Sequence, residues 1–230
     1  MRILGFLFLI LTFIPVKAQD SIPNFTALDS LYREDQFYFS FTYNIFQRKP
    51  DGVRQNKFSS GLSIGFLRDM PFNKPRTWAI AAGLGYSINN LNQNILITRL
   101  NGETNYELIP SDKAFETNKI ILHYAELPIE IRWRTSTPAS HRFWRVYTGF
   151  KVSYLVYNKS KYIDSDGKIA ISKNDDYSKF LYGAYLSTGY NTWNVHLYYA
   201  LNPVFKDAKL STGAALEMQT LNIGLIFYIL

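Results

Sequence analysis

His123-Tyr124-Ala125-Glu126-Leu127-Pro128-Ile129-Glu130-Ile131-Arg132-Trp133-Arg134 has a period of two. Its odd positions, Ala125, Leu127, Ile129, Ile131 and Trp133, are all apolar. Its even positions, Tyr124, Glu126, Glu130, Arg132 and Arg134, are polar or charged, with Pro128 the exception. Side chains alternate across a strand, so this stretch reads as a strand with two unlike faces. Alternation of this kind also occurs on a half-solvated sheet. The fold is therefore decided by what the other strands carry on their second face.

Seven more stretches alternate in the same way: Gln36–Phe46, Lys57–Leu67, Thr77–Asn89, Arg142–Tyr157, Lys179–Tyr190, Trp193–Leu201 and Leu216–Leu230. One face is large and apolar, as in Phe37, Phe39 and Phe41, or Trp78, Ile80 and Leu84. The other is small: Ser59, Gly61, Ser63 and Gly65 in one strand, Ala79, Ala81, Gly83 and Gly85 in the next. A water-facing sheet surface normally carries Lys, Glu and Thr. A face of Gly, Ala and Ser suits a crowded interior, where large neighbours need space. The small and charged face is thus expected to point into a lumen, and the aromatic face out into lipid. Gly83-Leu84-Gly85 is alternate-residue spacing within a strand rather than a phosphate loop.

Short connections (Arg68–Arg76, Thr135–His141, Asn191–Thr192) alternate with long ones (Asn90–Lys119, Asn158–Ser178, Phe205–Ala215). Asn101-Gly102 and Asp166-Gly167 are hairpin-tip signals inside two of the long segments. In barrels of the outer membrane, short turns are periplasmic and long loops extracellular. Trp78, Trp133, Trp144 and Trp193 all fall on the apolar parity beside short turns, as an interfacial girdle would. Lipid offers no partner to an unpaired backbone group, so spanning strands must close on themselves. The expected fold is all-β, an eight-stranded antiparallel up-and-down transmembrane β-barrel over residues 36–230. Eight strands leave an interior just wide enough for side chains. A soluble lipocalin-like barrel is the alternative, but it predicts neither the Gly/Ser faces nor the tryptophan placement. Pro128 has no N–H for the ladder, so a bulge or a lapse in pairing is expected there.

Arg2 followed by the apolar run Ile3–Ile14 and by Val16-Lys17-Ala18 reads as a signal peptide over residues 1–18. Residues 19–35 are polar and aperiodic, a periplasmic lead-in. The 230 residues contain no cysteine, which excludes disulfides and thiolate chemistry. Aromatics make up 17%, in keeping with an interface-rich sheet protein. The formal charge is +7, but an exported chain has little occasion to meet nucleic acid, and solvated basic loops account for it.

No catalytic constellation can be assembled. His123 falls on the outward parity, His141 in a periplasmic turn and His196 in the lumen, at different heights. Asp164-Ser165-Asp166-Gly167 lacks the remaining ligands of a calcium loop. No cofactor, metal or small-molecule substrate is expected. The charged residues of the inner face, Glu126, Glu130, Arg132, Arg145 and Lys151, are expected to form a structural ion-pair layer. In it Glu130 should meet Arg145, and Glu126 should meet Lys151, since a buried charge must be paired; Arg132 or Arg134 on the same strand, or tyrosine hydroxyls, are the alternative partners.

Tyr124-Ala125-Glu126-Leu127-Pro128-Ile129 resembles the Tyr-Leu-Glu-Ile-Pro-Leu strand of PorT-like outer-membrane β-barrels of Bacteroidetes, with Ala125 in place of the usual Leu. Three further stretches are similar to the PorT branch linked to type IX secretion and gliding. They are Phe66-Leu67-Arg68-Asp69-Met70-Pro71, Arg132-Trp133-Arg134-Thr135-Ser136-Thr137-Pro138 and Phe143-Trp144-Arg145-Val146-Tyr147-Thr148-Gly149-Phe150-Lys151. The resemblance implies a non-enzymatic component of type IX protein secretion and gliding motility. Its implied partners are outer-membrane lipid and other proteins of the secretion machinery, met through the periplasmic turns beside Arg68–Pro71 and Arg132–Pro138. A structural or adhesive barrel acting through extracellular loops is the alternative function.

Overall fold

The computed structural model describes residues 33–55, 57–136 and 143–229. The expected signal peptide and most of the lead-in lie outside the described residues, as do Pro138 and His141. The strands are β1 (Gln36–Gln47), β2 (Ser60–Pro71), β3 (Trp78–Asn92), β4 (Ile95–Leu100), β5 (Glu103–Leu108), β6 (Thr117–Arg134), β7 (Trp144–Asp164), β8 (Gly167–Ser172), β9 (Phe180–Tyr190), β10 (Trp193–Ala200) and β11 (Gln219–Ile229). Eight of them close a barrel in the order β1, β2, β3, β6, β7, β9, β10, β11, with β11 returning to β1. Every neighbouring pair is antiparallel. β8 pairs with the upper part of β7, and β4 pairs with β5 in a separate hairpin.

The alternation seen in the sequence sets the two faces. Phe37, Phe39 and Phe41 are exposed on the outside, while Tyr38, Ser40, Thr42 and Asn44 are buried inside. The inner glycines make room for specific rings. A Cβ on Gly65 or Gly85 would run into Tyr38, and one on Gly183 into Tyr198. Gly149 leaves space for the Cβ of Glu130, its cross-strand partner. Outside, apolar side chains run along β6 from Trp133 to the level of His123. About ten steps of roughly 3.3 Å, tilted by about 40°, give a band about 25 Å tall, the height of a membrane's apolar layer.

Several boundaries differ from those expected. β2 begins at Ser60 and runs on to Pro71, so Arg68 to Pro71 stay in the ladder with β3 instead of forming a turn. The remaining connection is tight, closed by Asn73 Oδ1 accepting from the Trp78 N–H at 2.9 Å. β6 and β7 extend upward to Thr117 and Asp164 and, with β8, rise above the apolar band. β11 starts at Gln219 rather than Leu216, because Leu216 and Met218 are drawn into a core outside the barrel. At Pro128 the β3–β6 pairing runs to Ala82 opposite Ile129 and resumes at Gly85 opposite Glu126. The lapse falls where the proline has no N–H to give. On its other side Pro128 stays in register with Lys151, and the β6–β7 irregularity sits at His123/Tyr124.

Candidate functional site: a sealed lumen beneath an ordered crown

The lumen is closed at its short-turn end by a buried knot of charge. Asp69, on the extended end of β2, has no solvent exposure. Its carboxylate accepts from Arg132 Nη1 at 3.0 Å, and from Arg134 Nη1 and Nη2 at 3.0 and 2.9 Å. Arg132 Nε donates to Glu130 Oε1 at 2.6 Å, and the other oxygen of Glu130 accepts from the Tyr185 hydroxyl at 2.8 Å. The segment entering β1 caps the knot. The Glu34 N–H donates to Asp69 Oδ2 at 3.3 Å, and Arg132 Nη1 donates to the Glu34 carbonyl at 3.2 Å. The guanidinium of Arg132 also lies over the Tyr147 ring at 4.8 Å. Two arginines sharing one carboxylate, with bidentate geometry to one of them, make a rigid plug.

Halfway up, Lys151 Nζ stands 2.9 Å from Glu126 Oε1 and 4.5 Å from the centre of the Tyr198 ring. Ser187 Oγ and His196 Nδ1 share a hydrogen bond of 2.7 Å beside it. Two cavities of about 20 and 30 Å³ flank this layer. Each is room for about one or two waters, so the lumen offers no passage to a larger solute.

The expected pair of Glu130 with Arg145 is not formed. The register sets Glu130 opposite Gly149 and Arg145 opposite Arg134. Glu130 takes its own-strand neighbour Arg132 instead, two residues along the same face. Arg145 Nη1 donates to the Asn191 carbonyl at 2.7 Å, and its guanidinium lies 4.4 Å from the Phe143 ring. The sequence reading missed Asp69, Glu34 and Tyr185. Asp69 was within reach, because continuing the inward parity of Gly61, Ser63, Gly65 and Leu67 arrives at it. Ending that strand at Leu67 hid it.

The four tryptophans face outward at the short-turn end. Trp78 is directly opposite Trp133, and Trp144 and Trp193 both pair with Tyr190. The Trp193 ring then meets Phe227 at 5.4 Å. His123 is also outward, its Nδ1 2.8 Å from the Tyr86 hydroxyl and its ring edge-on to Tyr157, at the opposite limit of the apolar band.

Above the barrel the long loops pack on each other. Val53, Ile97, Tyr106, Ile171, Tyr177 and Phe205 are buried together with the uppermost inner residues Phe46, Leu91, Ile120 and Leu122. Phe205 is central, stacked on Tyr177 at 4.8 Å and edge-on to Tyr106 at 5.7 Å. The Tyr106 hydroxyl donates to Asp176 Oδ2 at 2.7 Å and accepts from Asn174 Nδ2 at 2.6 Å, and burial pushes its pKa up. Asn101 and Gly102 turn the β4–β5 tip with φ of 51° and 88°, the left-handed pair of a type I′ turn. The crown covers the upper mouth as the knot covers the lower one.

A family model for the outer membrane protein beta-barrel domain matches residues 17–206. The chain belongs to that family. It is accordingly a protein of the outer membrane, and in such barrels short turns face the periplasm and long loops the outside. Among solved structures it is similar to that of Ail, the attachment invasion locus protein of Yersinia pestis, in complex with the heparin analogue sucrose octasulfate. The identity is 12%, over 86% of this chain and 100% of that one, with a TM-score of 0.36. It is also similar to a structure described under asymmetric conductivity of engineered proteins, at 9% identity over 86% and 100%, with a TM-score of 0.21. No curated protein matches.

Proposed function

We propose that this outer-membrane barrel is a PorT-like, non-enzymatic component of type IX protein secretion and gliding motility, exported through a cleaved signal peptide. The observation that carries the reading is the filled lumen: charge knot, ion pair and crown leave no conduit, so the roles open to the molecule are binding, anchoring and assembly. The choice of secretion among these rests on the PorT-like stretches. Within those stretches Asp69, Arg132 and Arg134 are buried and serve the fold, while Met70 is exposed. In this reading contacts with other secretion proteins are made by the crown, and the first periplasmic turn, where Met70 and Phe72 are exposed, is the other surface open to them. A structural or adhesive barrel is the second reading. It is favoured by the open polar groove of the crown, of about 410 Å³, between Arg99, Glu103, Lys173, Asp175 and Lys209.

The test deletes the gene and scores type IX cargo secretion and envelope integrity separately. A crown variant with Glu103, Asp175 and Asp207 changed to Lys is then supplied, after confirming that the barrel reaches the membrane. Loss of cargo secretion with an intact envelope, restored by the wild type and not by the crown variant, is the expected result. Unchanged secretion in the deletion strain overturns the secretion role and leaves the adhesive reading.

A further inference from the structure

The upper parts of β6, β7 and β8 form a small sheet just outside the apolar band, and its outward face is basic. Row by row upward from the His123–Tyr157 level, Ile121 is opposite Lys159, then Lys119 opposite Lys161, then Thr117 opposite Ile163. β8 adds Ser172, Ala170 and Lys168 to the same rows, and β3 adds Asn90 and Asn92 beside Ile121 and Lys119. Lys119, Lys159, Lys161 and Lys168 thus share one face, and no Asp or Glu stands in any of these rows. Glu116 and Asp164 fall on the other parity, and Asp164 is taken by Lys113 at 3.2 Å. None of the four lysines is in an ion pair among the described residues.

This arrangement costs stability. Like charges directly opposite each other on neighbouring strands repel, and Lys119 and Lys161 are such a pair. An isolated pair in water would be screened, but four lysines on a flat face ask for an external anion. Their height says which. The row below them holds His123 and Tyr157, with Tyr86 joined to His123, a cluster of amphipathic rings of the kind that marks a membrane interface. One or two steps farther out lie the headgroups of the outer leaflet. Side chains there lean on the lipid with their stems and hold their ammonium groups at headgroup level.

We propose that Lys119, Lys159, Lys161 and Lys168 form a docking face for the phosphate groups of a phosphorylated glycolipid of the outer leaflet. The face orients that lipid against the β6–β7–β8 side of the barrel, directly below the crown. The polar neighbours Asn90, Asn92 and Ser172 supply hydrogen-bonding groups beside the charges.

The test uses the detergent-solubilised full chain and native mass spectrometry with diphosphoryl lipid A, dephosphorylated lipid A and phosphatidylcholine. The wild type should retain diphosphoryl lipid A in preference to the other two. Changing all four lysines to Gln should weaken that retention by about ten- to hundredfold, after allowing for screening. A matched control, with the exposed crown residues Lys49, Lys173, Lys206 and Lys209 changed to Gln, should retain it as the wild type does. Heat-modifiable gel mobility checks that each barrel is folded. If the fourfold variant fails to fold, Lys119→Gln with Lys161→Gln is read in its place, with about a tenfold loss expected. Equal retention by the variant and the wild type, equal loss in the control, or equal retention of dephosphorylated lipid A overturns the proposal. So does displacement by inorganic phosphate at the lipid's own concentration, which would make the face a phosphate site without a lipid.

Discussion

The lumen and the crown are two cores built by one chain with opposite polarity. In the lumen Asp69, Arg132, Arg134, Glu126 and Lys151 are hidden together with Tyr147, Tyr185 and Tyr198, and Phe37, Phe39, Trp78 and Trp144 face out. In the crown Ile97, Tyr106, Tyr177 and Phe205 are hidden and the charged residues face out. Each follows from its surroundings: lipid accepts apolar surface and rejects unpaired polar groups, while water does the reverse. The difference is one of failure. A charged core depends on every partner being present, because removing one strands another. An apolar core depends on filled volume, and losing a ring leaves a cavity.

The largest effect should come from breaking the lumen. Asp69→Asn removes the carboxylate that Arg132 and Arg134 share, leaving Arg132 with Glu130 at 2.6 Å and Arg134 with Glu34 at 3.9 Å. Breaking a buried pair costs about 3–5 kcal/mol, and the loss of a carboxylate shared by two fully buried arginines places this variant in that range. Urea unfolding of the refolded barrel, followed by tryptophan fluorescence, should show a single transition displaced to much lower urea. A midpoint within error of wild type would mean that water reaches the knot and that the lumen is not a dry core.

The two cores were unequally legible in the sequence, for the same physical reason that separates them. A barrel strand sees lipid on one side and lumen on the other along its whole length, so its code is a period of two. The faces of β1, β3 and β6 were read from that period alone. The crown is assembled from pieces of four connections, and its residues Val204, Phe205, Ala208, Leu210 and Leu216 have no common period. Their burial depends on loops far away in sequence, which no local pattern records. Only the β4–β5 and β7–β8 tips announced themselves, through Asn101-Gly102 and Asp166-Gly167. Pair identities in the lumen were half legible. Glu126 and Lys151 follow from two neighbouring strands, whereas the Glu130 partner depended on a register that put Gly149 opposite it.

The crown should break differently. Phe205→Ala empties the space between Tyr177 and Tyr106, for about 3 kcal/mol, the lower part of the range for such a change because loops relax around the cavity. The loss should be local. Amide hydrogen exchange in β4, β5 and residues 203–218 should quicken by roughly a hundredfold, at 1.4 kcal/mol per factor of ten. The urea midpoint of the barrel should stay close to wild type. A variant in which the barrel transition moves as far as in Asp69→Asn would show that crown and lumen unfold as one unit, and the contrast between them would fail.

The smallest effect is expected in the middle of the lumen, where the two kinds of core meet. Glu126→Gln keeps the shape and still offers an amide oxygen to Lys151, so only the charge is lost. Lys151 has residual exposure that the arginines of the knot lack. Its side chain keeps 11% exposure, and its ammonium lies over the Tyr198 ring. An ammonium over an aromatic face gains about 0.5–2 kcal/mol, which offsets part of the lost pairing. A net cost of about 1–2 kcal/mol should follow, well below that of Asp69→Asn. The double variant Glu126→Gln with Lys151→Met sharpens the point. If the charges are paired, removing the second after the first also removes the stranded cation, and the double variant should be no less stable than Glu126→Gln alone. Additive losses would mean that Lys151 is held by Tyr198 and packing, not by Glu126. In that event the middle of the lumen would behave as the crown does, through filled volume, with charge pairing confined to the knot below.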